Sequence, residues 1–65
     1  MSAIAILELA LTLLPKITVG LTEFVAWVAT LRKAAQQADE WTADHESMWR
    51  DALISQGLDP AEMPD

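Results

Sequence analysis

The chain has 65 residues, 10 acidic against 4 basic side chains, a formal net charge of −6 and 0 Cys. A domain of this size buries about 60% of the surface its unfolded chain exposes, and without disulfides its remaining staple is association with another chain. The acidic balance excludes ordinary phosphate-backbone binding, which needs a basic patch, and no His–carboxylate run has metal-ligand spacing, so no nucleic acid, metal or cofactor is expected.

In chain order, Ser2 suits an N-cap for a first helix over about residues 3–14, rich in Ala and Leu, with no turn residue before Pro15. A proline disfavours helical backbone at the residue before it, so this helix is expected to end or kink at Leu14. Pro15 then suits the first turn of the next helix. The first helix is wet along one line, Glu8 and Thr12, continued by Lys16. Ile4, Leu7, Leu11 and Leu14 cover one side, and Ile6, Leu9, Ala10 and Leu13 the other. A helix apolar nearly all round is buried on several sides or sits in lipid.

Residues 21–56 contain neither Gly nor Pro. They read as a long second helix over about 17–56, with Gly20 leaving its start open between residues 16 and 22. Ile17, Leu21, Phe24, Val28, Leu31, Ala35 and Ala38 alternate in steps of 4 and 3, an a/d seam suited to self-association. Beyond Ala38 the stripe shifts to Trp41, His45, Met48 and Ala52, with Trp49 and Leu53 beside it. Two readings fit: one helix with a locally overwound stripe, or a break near Asp39 that caps a third helix. The absence of Gly and Pro favours the continuous helix. Its end is well marked, with Gly57 at the left-handed position, Leu58 as the apolar contact and Pro60 blocking continuation. Residues 59–65 then form a short acidic tail, in which Asp59, Pro60, Ala61 and Glu62 open one helical turn before Pro64. No segment alternates with period 2, so the expected fold is all-α, a single helical domain over residues 1–58.

A first helix about 18 Å long cannot cover a second about 54 Å long, and the stripe over residues 41–53 is left bare. The expected architecture is therefore a helical hairpin that self-associates into a bundle. Trp41, His45 and Trp49 lie four apart as an aromatic ridge flanked by Met48, Ala52 and Leu53. Tryptophan is enriched at interface hot spots and methionine adapts to partners. These six residues are expected to bind or inhibit another protein, making the chain a small non-enzymatic interaction module.

Other chemistry fits less well. His45-Glu46 begins like a zinc helix, but Trp49 stands where the second ligand belongs and no other His exists. Asp39, Glu40, Asp44, Glu46 and Asp51 read as a solvated face, with Glu46 and Arg50 as an i,i+4 pair. Ser2, Ser47 and Ser55 have no nucleophile's constellation, and no phosphate loop is present, so no enzyme is expected. Small chains of this kind are common among virus- or phage-encoded accessory and virion proteins, an expectation from size alone. A cytoplasmic location is expected. The alternative is a small membrane-inserted protein of holin-like plan using residues 9–31, although Lys16 and Glu23 at about +5 to +7 kcal/mol offset about −5 from the apolar residues.

Overall fold

The first helix forms where its Ala and Leu residues place it. In the computed structural model, which describes residues 3–62, α1 spans Ala3–Leu13 and tightens into a 3-10 turn over Leu14–Lys16 that contains Pro15. Ser2 and Pro64 lie outside the described residues. The chain then runs through an extended Ile17 (ψ 126°) to Gly20, whose φ of +71° is strained for any residue with a Cβ. The second helix, α2, spans Leu21–Gln37. It begins at residue 21 rather than 17 because Gly20 occupies its N-cap in the left-handed region.

The continuous helix over 17–56 does not form. After Ala38, Asp39 turns left-handed at φ 59°. The Glu40 N–H donates to Ala35 O at 2.8 Å and the Asp39 N–H to Gln36 O at 3.2 Å. This pair of bonds closes a helix by the Schellman pattern. The next helix, α3, spans Ala43–Ser55 and is opened by Thr42. The Thr42 hydroxyl accepts from the His45 N–H at 3.2 Å, and His45 Nδ1 accepts in return from the Thr42 N–H at 3.2 Å. That is a capping box with histidine in the place usually held by Glu or Gln. At its far end α3 stops as the sequence indicates, with Gly57 at φ +77° and Leu58 packed against the core. Asp59 then caps a 3-10 turn over Pro60–Glu62 by accepting from the Ala61 N–H at 3.0 Å.

The break brings three helices of comparable length together, so the mismatch between a short and a long helix disappears. Helix α1 runs antiparallel to α2, with Ile4 beside Ala38. It runs alongside α3 in the same direction, with Glu8 at His45 and Leu14 at Gln56. Covered by α2 on one flank and α3 on the other, α1 buries Leu7, Ala10, Leu11 and Leu14. Val25 and Val28 meet them from α2, and Trp49, Ala52 and Leu53 from α3. This two-sided cover accounts for a helix apolar nearly all round. The described residues contain no strand. The window over 9–31 is interrupted by the turn and link at 14–20, and among the described residues no helix is long and apolar enough to cross a membrane.

Candidate functional site

The six residues of the expected docking ridge do not share one exposed face. Trp49 is 2% exposed and, with Ala52, Leu53 and His45, belongs to the chain's own core. Trp41 precedes the N-cap of α3, half-buried, its ring 5.5 Å from that of His45. Met48 alone of the six points largely outward, at 37% exposed. The stripe that lacked cover in an unbroken helix is covered by α1 once α3 folds back. The expected seam is likewise drawn inward. Val28 is fully buried, and Leu21, Phe24, Leu31 and Ala35 are half-buried against the core. Ile17 is half-buried in the link, while Ala38 is exposed at the end of α2.

A polar cluster holds the α2–α3 corner, and sequence reasoning does not assemble it. Arg32 on α2 lies over the rings of Trp41 and Trp49, at 5.4 and 5.8 Å from their centroids. Its Nη2 donates to Glu46 Oε1 at 3.0 Å, and the Trp41 indole N–H donates to the same oxygen at 2.9 Å. Glu46 therefore bonds across the corner, rather than along its own helix to Arg50. Burial pushes its carboxyl up, but the Trp41 and Arg32 hydrogen bonds, with the charges of Arg32 and Arg50, outweigh that and hold it below the ordinary glutamate value. On the other side of α3, His45 Nδ1 is occupied as an acceptor, so its ring proton sits on Nε2 and is donated to Glu8 Oε2 at 3.2 Å. The Gln56 side-chain amide closes the base of the fold, donating to Leu14 O and Ile17 O at 2.8 Å each.

Among the described residues an apolar groove opens on each flank of α1. The groove toward α2 has a volume of about 230 Å³ and is lined by Ile4 and Leu7 from α1, Leu31, Ala34 and Ala35 from α2, and Ala38 and Glu40 just beyond its end. Trp27 lies on the same helix, 47% exposed and edge-on to Phe24 at 5.6 Å. The groove toward α3 has a volume of about 280 Å³ and is lined by Leu11, Thr12 and Pro15 from the α1 side and Met48, Asp51, Ala52 and Ser55 from α3. Among the described residues no group of three or more His, Asp or Glu side chains converges as a metal site would require. The chain matches no protein-family profile, no curated protein and no solved structure.

Proposed function

We propose that the protein is a non-catalytic helical interaction module that pairs with a second copy through α2 and offers its Met48 side to another protein. One observation carries the self-association: Trp27 stands half-exposed on the same helix as a largely apolar groove whose lining includes Leu31, Ala34 and Ala35. Trp27, Leu31, Ala34 and Ala38 succeed one another in steps of 4, 3 and 4, an a/d stripe that shares Leu31 and Ala38 with the inward seam and replaces Val28 and Ala35 by the exposed Trp27 and Ala34. Trp27 precedes Leu31 by four residues, and Ala34 and Ala35 come three and four residues after it. Two α2 helices crossing antiparallel at Leu31 would therefore place each Trp27 in the alanine-lined groove of the other copy. The contact would be isologous and closed. Small residues let the helices approach, and each indole would bury roughly 150–250 Å² of surface. His45, which is buried, and Glu46, which is half-buried, are both engaged in holding the corner, which supports a binding role over catalysis.

Light scattering after size exclusion tests this reading. The wild-type chain is expected at twice its 7.2 kDa mass, and Trp27→Ala or Ala34→Glu at the monomer mass with helicity by circular dichroism unchanged. Both positions are exposed, so neither change opens a cavity in the core. A wild-type chain that stays monomeric at roughly 100 μM, well above the micromolar affinities of ordinary interfaces, would reject self-association through α2.

A further inference from the structure

We infer that the groove between α1 and α3 receives a basic amphipathic helix of another protein, with apolar side chains over Leu11 and Ala52 and Lys or Arg residues facing Asp44, Asp51 and Glu8. The inference rests on the reading of the protein as an interaction module, but not on the α2 surface.

The groove has an apolar floor and Asp51 in its lining, and Asp44 and Glu8 lie one helical turn beyond Met48 and Thr12. Leu11 and Ala52 are buried beneath it, and Met48 stands at its side, exposed and conformationally adaptable. On α3, Asp44, Met48, Asp51 and Ser55 are spaced by 4, 3 and 4, so the two carboxylates flank the methionine on one face. On α1, Glu8 lies one turn before Thr12 and is 58% exposed even while it accepts from His45. Neither Asp44 nor Asp51 forms an ion pair within the described residues. No Lys or Arg lines the groove, and α3's own arginine, Arg50, lies two residues from Met48 on the opposite side of the helix. Asp44 and Asp51, with Glu8 on His45 across from them, set carboxylates beside an apolar slot on a chain of net charge −6, and these are complementary to a cationic rim around an apolar stripe. A basic helix presents that pattern at i, i+3 and i+4. Its charges would relieve the mutual repulsion of the carboxylates, steer encounter and fix register. A volume of about 280 Å³ accepts one or two apolar side chains, so the occupant's own stripe must be short.

The test uses a fluorescein-labelled helical peptide of about 18 residues, Leu on one face and Lys on the other, titrated with the full chain and followed by anisotropy. Two comparison peptides replace Lys by Glu or scramble the same composition. The expected result is saturable binding of the Leu/Lys helix, none of the Glu peptide, and binding of the scrambled peptide weaker by about tenfold. Asp44→Asn with Asp51→Asn should weaken binding by about tenfold and flatten its salt dependence, and Met48→Lys should abolish it. Equal binding of the scrambled peptide would overturn the inference, because charge alone would then be the cause. Unchanged affinity in the Asn variant, or no binding of the Leu/Lys helix, would also overturn it. Light scattering of the same samples reports self-association separately. A dimer that ignores the peptide sinks this inference and spares the reading of α2, and a monomer that binds it does the reverse.

Discussion

Helices α2 and α3 end in the same hydrogen-bond pattern built on different residues. At the end of α3 the Leu58 N–H reaches Leu53 O at 2.8 Å and the Gly57 N–H reaches Ile54 O at 3.0 Å. At the end of α2 the corresponding bonds run from Glu40 to Ala35 and from Asp39 to Gln36. Glycine enters the left-handed region freely, whereas a residue with a Cβ gives up about 1 kcal/mol or more there. Leu58 also packs back on the core, as the motif favours, while Glu40 is exposed. The α3 stop is therefore stable on local terms. The α2 stop is locally unfavourable and must be held by contacts on either side of it: the Thr42–His45 box and Trp41 after the stop, and the Arg32–Glu46 pair that ties α2 to α3 across it.

On this account the largest effect comes from Arg32. Arg32→Ala removes the contact with Glu46 and the cation over two tryptophans, and leaves Glu46 half-buried with two N–H donors fewer. A loss of about 2–3 kcal/mol is expected, since hydrogen bonds to charged groups and desolvated cation–π contacts each lie near 2 kcal/mol and are not additive. Urea unfolding followed by tryptophan fluorescence would measure it. A loss below about 0.5 kcal/mol, the range of an ordinary surface change, would mean that the caps alone hold the corner. Glu46 adds a pH signature. Its folded-state value is lowered, so the stability it contributes is present above the ordinary glutamate value and is lost as pH falls through the lowered folded value. Glu46→Gln should be less stable at neutral pH and should flatten that part of the acid profile. An unchanged profile would show that other carboxylates govern acid unfolding.

The same contrast sets how much of the molecule is legible in its sequence. Gly57, Leu58 and Pro15 carry their conformational meaning in their own chemistry, and both boundaries they mark are where expected. Asp39 is a weaker mark, a residue that enters the left-handed region less readily than Gly, so a break there is one of two readings and the absence of Gly and Pro favours one helix. The box at Thr42 is hidden because its reciprocal partner is His45 rather than Glu or Gln. Without a separate α3, Trp41 is counted on a helix it in fact precedes, and the a/d seam is assigned to a second copy although α1 occupies much of it. The Arg32–Glu46 contact, the Gln56 clamp and both grooves join residues from different elements, and no local period can announce them. The apolar circumference of α1 does announce that two neighbours are needed, but not that both lie in the same chain.

A smaller loss is expected at the start of α3. Thr42→Ala deletes the acceptor for the His45 N–H and should cost about 1 kcal/mol, within the measured range of about 0.5–2. Thr42→Ser keeps the hydroxyl and should recover most of it in the same urea series. If Ala and Ser behave alike, the hydroxyl is not what fixes the corner, and the burden shifts further onto Arg32.

A loss of similar size at one helix end and the smallest effect, at the other, test the two ends against each other directly. A Cβ added at Gly57 would meet nothing within 4 Å, so Gly57→Asp changes backbone strain and little else. It should destabilise by about 1 kcal/mol. Asp39→Gly relieves the same strain at the other end but frees the unfolded chain by about 0.4–1 kcal/mol, so its net gain should be a few tenths at most. The two sites lie on different helix ends and share no hydrogen bond, so the double variant should equal the sum of the singles within about 0.5 kcal/mol. A gain of about 1 kcal/mol or more from Asp39→Gly alone, above what relief of strain less unfolded-chain entropy allows, would show that the corner contacts do not fully enforce the turn in the wild-type chain. A clear loss would show that the Asp39 side chain itself supports the corner, and the two stops would then differ in kind rather than in strain.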